Sequence, residues 1–282
     1  MSLLRSGSAF SSDKSQRLVA LVTGANKGIG REIAKLLADE SSNITVILAC
    51  RTDGKKIAQE LGVDHSVYID LADKTSIDQC AEYVKKEFGR LDILINNAAI
   101  CFNDPTLYGT VAHTPFEKQA DITIKTNYFG TRRLCQVVMP LLELSQQPRI
   151  INIASSAGRL AILRSQEKVD MFTDPNLQIS QLDEHMKAFV SAVEDSVHAD
   201  QGWPNTCYGM SKLGIIALTK ILARDHPTMR VNSVDPGYCA TDQNNNQGVR
   251  PAACGAVTPF LLATTNDAVS GLHWFDEQEI QW

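Results

Sequence analysis

The sequence predicts an α/β fold in which a doubly wound parallel sheet carries helices on both faces. Two observations support this prediction. Short apolar runs alternate along the chain with longer segments whose apolar residues recur at helical spacing. The short runs are also continuously apolar, which is typical of parallel strands buried on both faces. The chain has 282 residues, 44% hydrophobic and 21% charged, which is the composition of an ordinary globular protein and a length that suits one large domain.

The predicted elements alternate strictly along most of the chain. The helix at 75–88, for example, has Ile77, Ala81 and Val84 on one face. We predict strands at 18–22, 44–49, 66–69, 91–95, 149–154 and 230–234. We predict helices at 31–39, 53–61, 75–88, 122–144 and 208–225.

Two segments interrupt this alternation. Residues 1–17 are Ser-rich with one acid, and we interpret them as a flexible tail before a single domain at 18–282. A Ser-rich, acid-poor leader is also typical of transit peptides, so that alternative stays open. Residues 164–203 are charged and lack a clear strand, but 179–197 has helical spacing. We therefore predict a helical insertion within the same domain.

Composition argues against several classes of function. The net charge is −5, whereas nucleic-acid binders are usually basic, so we expect no nucleic-acid partner. No run approaches the roughly 18 apolar residues of a membrane span, so we expect no membrane partner. The seven cysteines are scattered without a CxxC pattern, which indicates reduced thiols and a cytoplasmic protein. Histidines and cysteines are not clustered at ligand spacing, and we expect no metal site.

A glycine-rich turn joins the first strand to the first helix. Its glycines are Gly24, Gly28 and Gly30, and the residues between them that we assign to the same site are Asn26, Lys27 and Ile29. Such a turn lets the backbone approach a pyrophosphate, which binds the free N–H groups at the start of the helix. A turn without a ligand is the alternative, but the position between strand and helix favours a dinucleotide.

Cations near the end of the second strand indicate which dinucleotide binds. Folds specific for NAD carry an acid there, which binds the ribose 2′-hydroxyl. This chain has Arg51 instead, with Lys27 in the turn and Lys55 shortly afterwards. Positive charge suits a 2′-phosphate, so we predict NADP(H) as the cofactor. For Lys55 and its neighbour Lys56, a solvated helix face is an equally good interpretation.

A tyrosine and a lysine lie one helical turn apart. Tyr208 and Lys212 share a face of their predicted helix. A phenol has an ordinary pKa of about 10, and a cation one turn away lowers that pKa by favouring the phenolate. We therefore predict that Tyr208 can act as a general acid or, in the reverse direction, a general base.

Further motifs follow in a fixed order. They are Asn96-Asn97-Ala98-Ala99, Lys125-Thr126-Asn127, Ser155, the Tyr208 and Lys212 pair, and Pro236-Gly237. Together with the glycine-rich turn, they resemble the short-chain dehydrogenase/reductase family over residues 18–282, which implies a Rossmann-type sheet. The stretch Gly202-Trp203-Pro204 and the long interval between Ser155 and Tyr208 resemble the monomeric NADPH-dependent carbonyl reductases in particular. In those enzymes the extra segment covers the surface used for oligomerisation, so the resemblance implies a monomer.

The resemblance assigns a catalytic role to four matched residues: Asn127, Ser155, Tyr208 and Lys212. Ser155 would hydrogen-bond the substrate carbonyl, although the adjacent Ser156 is an alternative. Lys212 would also hold the nicotinamide ribose, and Asn127 would hold a water molecule in a proton relay.

The resemblance also assigns contacts to the cofactor and the substrate. Asp70 and Leu71 would contact the adenine, Asn97 the nearby ribose, and Pro236, Gly237, Tyr238 and Cys239 the nicotinamide. Phe102, Gln119, Trp203 and Tyr238 would lie beside the substrate with Ser155. A core position for Trp203 is the alternative. Gln119 and the residues after Cys101 match a glutathione subsite of similar enzymes, but Asp104 makes that loop acidic.

The implied function is NADPH-dependent reduction of quinones, ketones or aldehydes to alcohols by hydride transfer. An alcohol, steroid or prostanoid dehydrogenase of the same family, or a non-catalytic NADP-binding sensor, are the alternatives. One position departs from the family, which usually has glycine where this chain has Ala99. A left-handed backbone at Ala99 would strain its methyl group.

Overall fold

A mostly parallel sheet of eight strands organises the part of the chain that the structure describes. The structure is a computed structural model, and it describes residues 17–40, 43–102 and 114–282. The strands are β1 (Leu18–Thr23), β2 (Ile44–Cys50), β3 (His65–Tyr68), β4 (Ile93–Asn96), β5 (Arg149–Ile153), β6 (Arg230–Val234), β7 (Cys239–Ala240), β8 (Arg250–Pro251), β9 (His273–Phe275) and β10 (Gln278–Glu279). Strands β7 and β8 form a small sheet of their own.

Helices connect these strands. They are α1 (Gly28–Glu40), α2 (Gly54–Leu61), α3 (Lys74–Phe88), α4 (Phe116–Thr123), α5 (Thr131–Leu142), α6 (Gln166–Thr173), α7 (Ile179–Glu194), α8 (Cys207–Asp225) and α9 (Ala252–Thr264). A π-helical segment, Ile124–Gly130, joins α4 to α5, and 3₁₀ turns occupy Ser156–Gly158, Leu160–Ile162 and Asp242–Asn244. Within the described ranges, no helix is both long enough and apolar enough to cross a membrane.

The strand order places a reversal of winding beside β1. Across the large sheet the order is β10-β9-β6-β5-β4-β1-β2-β3, and only the β9–β10 pair is antiparallel. The chain leaves β3 at one edge and returns to β4 on the other side of β1. The carboxyl ends of β1 and β4 therefore flank the crevice where open α/β sheets bind ligands.

Each face of the sheet builds its own core, because successive residues of a strand point to opposite faces. In β1, Leu21 packs with residues of α3, α5 and α8, whereas Val22 packs with residues of α1, α2 and α9. Both side chains are fully buried. The two layers of helices confirm the predicted doubly wound α/β fold.

The six predicted strands are present within two residues of their predicted limits, but the helix predicted at 122–144 is not continuous. That range contains the last two residues of α4, the π-helical segment and α5. The sequence analysis did not predict α9 or β7 to β10. Small residues dominate α9, and each of those strands has only two or three residues, too few to show a hydrophobic period.

The predicted insertion contains two helices, α6 and α7. Helix α7 packs against α4 and α8, so the segment belongs to the same folded body as the sheet. Residues 1–16 of the predicted tail lie outside the described residues, as do 103–113 after β4.

A glycine sets how closely the π-helical segment approaches the sheet. Gly130 lies against the backbone that follows β3, and a Cβ at Gly130 would overlap the carbonyl oxygen of Leu71. Since that neighbour is backbone, it has little room to yield. The absence of a side chain at Gly130 therefore fixes the position of Leu71 at the edge of the crevice.

We expect Gly130→Ala to lower the free energy of unfolding by about 2 kcal/mol, because the added methyl overpacks against backbone. The same substitution in an open helix would be stabilising. Gly214→Ala in α8 is the matched control. Its methyl would meet side-chain atoms of Met186 and Tyr128 at 2.9–3.0 Å, and the flexible end of the Met186 side chain can move away, unlike backbone. Denaturant unfolding of both variants measures the difference, and equal losses would contradict this account of Gly130.

Candidate active site

Two joined cavities lie along the carboxyl edge of the sheet. The larger has a volume of ≈ 550 Å³ and the smaller of ≈ 340 Å³. The residues that line both are Ile29, Asn97, Ala99, Thr241 and Gln243. The two cavities therefore form one continuous cleft, which crosses the crevice between β1 and β4.

The glycine-rich turn forms one wall of the larger cavity. Gly24 has φ +65° and Gly28 has φ +56°, a conformation that glycine adopts without strain. A Cβ on Gly24 would lie 2.9 Å from Asn97 Nδ2. Helix α1 begins at Gly28, so its first N–H groups, which lack helical partners, are at the cavity wall. This is a cradle that fits a pyrophosphate.

Asn97 holds this cradle in place. Its Nδ2 donates to the Thr23 carbonyl oxygen at 2.9 Å and to the Gly24 carbonyl oxygen at 3.3 Å. In return, Thr23 Oγ1 accepts from the Asn97 and Ala98 N–H groups at 3.0 Å each. Gly30 is absent from the cleft lining within the described ranges. It packs against the turn instead, and a Cβ there would meet the Gly24 carbonyl oxygen at 2.5 Å. Gly30 thus lets α1 pack closely against the turn.

Two of the three predicted cations lie at the rim of the larger cavity. Arg51 lines it with its side chain 60% exposed, and its guanidinium lies 4.0 Å from the Asp70 carboxylate. Lys27 Nζ forms an ion pair with Asp242 at 2.9 Å. Lys55 is exposed on α2 and, as far as the structure describes the chain, does not line either cavity. Its position favours the solvated-face alternative over a cofactor contact.

The remaining predicted nucleotide contacts also lie at this cavity. Asn26 lines it and donates from Nδ2 to Thr52 Oγ1 at 3.2 Å. Asp70 and Leu71 follow β3 and line the opposite wall. The Asp70 carboxylate is oriented by the hydrogen bond that its Oδ1 accepts from the Ala72 N–H at 2.9 Å.

The predicted catalytic residues come together around the smaller cavity. Helix α8 starts at a fixed point because Thr206 Oγ1 caps it by accepting from the Gly209 N–H at 2.9 Å. Tyr208 and Lys212 are then one turn apart, with the Lys212 ammonium 5.5 Å from the centre of the tyrosine ring. Ser155 follows β5 and lines the same cavity as Tyr208. Ser156 lines it as well, but Ser155 is the serine that interacts with the Tyr208 phenol and lowers its pKa.

Burial has the largest effect on the pKa values of Tyr208 and Lys212. It raises the pKa of Tyr208, since phenolate is poorly solvated there, and hydrogen bonds to Gln243 and Ser155 only partly oppose it. Burial also lowers the pKa of Lys212 to about 8, although electrostatic interactions with Cys101 and Asp235 act to raise it. The pKa of Tyr208 is therefore raised and not lowered as expected, because burial outweighs the effect of the Lys212 charge. The ammonium instead donates to the Ile153 carbonyl oxygen at 2.7 Å.

Asn127 lies behind the cleft, in the π-helical segment. Its Oδ1 accepts from the Ile100 N–H at 2.8 Å, and its Nδ2 donates to the Ile100 carbonyl oxygen at 2.9 Å and to Ser211 Oγ at 3.0 Å. It lines neither cavity in the described residues. Its amide fixes the segment after β4, which carries Ala99 and Cys101 into the cleft.

The predicted substrate residues separate into two groups. Tyr238, 46% exposed, lines the smaller cavity together with Pro236, Gly237 and Cys239. Trp203 is a correction: it is 1% exposed, and its ring packs against Phe172 and Phe189 in the core. It is therefore a core residue, which was the alternative interpretation.

Phe102 and Gln119 are absent from the linings of both cavities, considering only described residues. Gln119 Nε2 instead donates to the Thr114 carbonyl oxygen at 2.6 Å. Asp104, which bears on the glutathione hypothesis, lies outside the described residues. Ala99 is not among the described residues with positive φ, so its methyl group replaces glycine without backbone strain.

Several lining residues were missed by the sequence analysis. They include Thr52, Cys101, Asp235, Thr241 and Gln243. The position of Thr241, soon after Pro236-Gly237 at the end of β6, was a signal that could have been used. Gln243 lies in a short 3₁₀ turn, and no sequence pattern brings that turn over the cleft.

Comparisons with known proteins agree with this geometry. The family model for the short chain dehydrogenases matches residues 18–165. Carbonyl reductase (NADPH) 3 of Mus musculus is 38% identical over 260 residues, which cover 87% of this chain and 90% of that protein. The (+)-neomenthol dehydrogenase of Capsicum annuum is 34% identical and covers 92% of this chain and 96% of its own.

A solved structure is similar over nearly the same length. Salutaridine reductase from Papaver somniferum has a TM-score of 0.81 at 28% identity, covering 92% of this chain and 99% of its own. The doubly wound sheet, the glycine-rich cradle and these relatives lead to one conclusion. The chain belongs to the short-chain dehydrogenase family and, within it, is similar to the carbonyl reductases.

Proposed function

We propose that this chain reduces carbonyl compounds to alcohols with NADPH and that Tyr208 is the general acid. The observation that carries the proposal is the continuity of the cleft from the glycine-rich cradle to the group formed by Ser155, Tyr208 and Lys212. A dinucleotide held by the cradle would reach that group with its nicotinamide end. A sensor that only binds nucleotide needs no such group, so the arrangement favours an enzyme.

The residues at the rim support NADP(H) over NAD(H). Arg51, Lys27, Asn26 and Thr52 surround the end of the cleft where a 2′-phosphate would lie. Arg51 is exposed, and its ion pair with Asp70 is a long one at 4.0 Å. Its guanidinium can therefore turn toward a phosphate, a group that arginine binds well. When bound, the cofactor supplies the hydride.

Tyr208 is placed to deliver a proton to the substrate oxygen. Its raised pKa keeps the phenol protonated at neutral pH, as a general acid must be. A carbonyl oxygen that binds between Ser155 and Tyr208 would accept hydrogen bonds from both, which stabilises its developing negative charge. The proton then passes from Tyr208 to that oxygen. The ammonium of Lys212, one turn away, stabilises the phenolate that remains.

Asn127 supports this proton transfer indirectly. It fixes the Ile100 peptide, which lines the larger cavity, and contacts Ser211, next to Lys212 in sequence. A water molecule between Asn127 and Lys212 would complete the relay that we propose.

The smaller cavity suits compact carbonyl substrates such as quinones, ketones and aldehydes. Tyr238, Pro236 and Ala154 give it apolar surface beside the Ser155 hydroxyl. Relatives named carbonyl reductase and neomenthol dehydrogenase support small carbonyl compounds or the matching alcohols, since the same groups run the reaction in either direction. Helix α7 covers α4 and α8, and we propose a cytoplasmic monomer.

Removal of the acid should abolish most of the activity. We expect Tyr208→Phe to lower kcat by about 10²–10⁴-fold, the usual contribution of a general acid, while NADPH binding is retained. The loss of NADPH absorbance with menadione measures the first effect and nucleotide fluorescence the second. Tyr83→Phe is the matched control, since it removes a hydroxyl bonded to His65, outside the cleft. A Tyr208→Phe enzyme with wild-type turnover would refute the assignment.

Charge reversal at the rim should change the choice of cofactor. We expect Arg51→Glu to raise KM for NADPH by about tenfold or more through repulsion of the 2′-phosphate, with little change for NADH. Lys55→Glu makes the same reversal outside the cavity and should have a much smaller effect. Equal effects of Arg51→Glu on the two cofactors would argue against a 2′-phosphate contact.

Reduction should slow as the pH rises. Burial lowers the pKa of Lys212 to about 8, so its ammonium is present below that pH and lost above it. The raised pKa of Tyr208 keeps the phenol protonated over the same interval. We therefore expect kcat/KM with NADPH to fall through about pH 8 because of Lys212. A flat profile across that pH would be inconsistent with a role for the ammonium.

A further inference from the structure

Among the described residues, one carboxylate lines the smaller cavity and is not used in the reaction above. Asp235 directly follows β6, is 6% exposed and lines the cavity with Tyr208 and Lys212. Its Oδ1 accepts from the Gly237 N–H at 2.9 Å, and its own N–H donates to the Trp274 carbonyl oxygen at 2.8 Å. The carboxylate is therefore held in place by the local backbone.

Strand register places this carboxylate beside the reacting groups. Strands β5 and β6 are neighbours, with Ile153 opposite Val234. The Ile153 carbonyl oxygen anchors the Lys212 ammonium, and Asp235 is the residue after Val234. Asp235 at the end of β6 and the Lys212 ammonium, held at the end of β5, thus lie at the same edge of the sheet.

The charge of Asp235 is not cancelled by a close ion pair. In the described ranges, no lysine, arginine or histidine nitrogen lies within 4.0 Å of its carboxylate. On β9, His273 bonds through Nδ1 to Ser233 Oγ at 2.9 Å, and burial lowers its pKa to about 4, so it is neutral at pH 7. Lys212 attracts the carboxylate, but its shortest bond is to Ile153. A buried carboxylate of this kind interacts strongly with any positive charge that enters the same low-dielectric space.

We propose that Asp235 stabilises the positive charge that hydride transfer leaves on the nicotinamide. The inference rests on the proposed function, which brings that ring into the cavity lined by Asp235. Reduction moves a hydride, with its electron pair, from neutral dihydronicotinamide to the carbonyl carbon, and a proton from Tyr208 to the carbonyl oxygen. Asp235 faces the cation that remains and favours it over the neutral ring, in the product and in the transition state.

The same argument predicts that Asp235 affects the affinities for the oxidised and the reduced nucleotide differently. Asp235 should tighten the binding of NADP⁺ relative to NADPH, since only the oxidised ring is cationic. Bound NADPH becomes a stronger hydride donor by the same factor, because the free energies of binding and of oxidation form one cycle. A residue that merely supported the Lys212 charge or the Gly237 turn would change both affinities together.

Asp235→Asn tests this distinction, because the amide oxygen still accepts from the Gly237 N–H while the charge is removed. We expect Kd for NADP⁺, measured by calorimetry, to rise about tenfold, as one charge interaction in a partly buried site allows. We expect Kd for NADPH to change little. Asp235→Ser, which also keeps an oxygen acceptor, is a second neutral variant should the first fold poorly.

Asp174→Asn is the matched control. Asp174 makes the same kind of turn, accepting from the Asn176 N–H at 2.8 Å, but at an exposed position. Equal shifts of the two affinities in Asp235→Asn, or no shift, would overturn the inference. If the native chain bound neither nucleotide, the proposed function itself would fail, and the two failures are therefore distinguishable.

Discussion

Hydrogen bonds between Asn97 and the end of β1 set the geometry on which the cleft depends. They join the carboxyl ends of two neighbouring strands at the point where the winding of the sheet reverses. On one side they fix Thr23 and Gly24, and through them the start of α1. On the other they fix the segment from Ala98 to Cys101, which leads into the smaller cavity. One amide side chain thus sets the position of the glycine-rich turn relative to the segment that leads to the smaller cavity.

A second constraint sets the spacing of the reacting groups themselves. Gly158, in the 3₁₀ turn after Ser155, packs so closely on α8 that a Cβ there would lie 2.6 Å from the Lys212 carbonyl carbon. The turn and the helix therefore meet backbone to backbone, and interiors packed this tightly resist small displacements. Ser155 and Tyr208 keep their relative positions because this contact holds together the two elements that carry them.

Local patterns predicted the sheet and most of the cleft. Continuous apolar runs identify β1 to β6, and residues just after such strands, including Ser155 and Asp70, reach the cleft because parallel strands share one carboxyl edge. Patterns failed where packing between distant segments decides. Trp203 looked like a pocket residue but fills the core between helices of the insertion. Lys55 has the positive charge that a 2′-phosphate contact needs, but it lies on the solvent-exposed side of α2 and does not line the described part of the cavity. The raised pKa of Tyr208 depends on burial, which spacing along a helix does not reveal.

The ion pair between Lys27 and Asp242 has a consequence for how a nucleotide enters. It spans the rim of the larger cavity, from the glycine-rich turn to the segment after β7. Both side chains are more than 60% exposed, and exposed pairs of this kind contribute only about 0–1 kcal/mol. A phosphate that bound at this rim would replace one anionic partner of Lys27 by another. The Asp242 carboxylate would then have held the ammonium at the entrance before the ligand arrived.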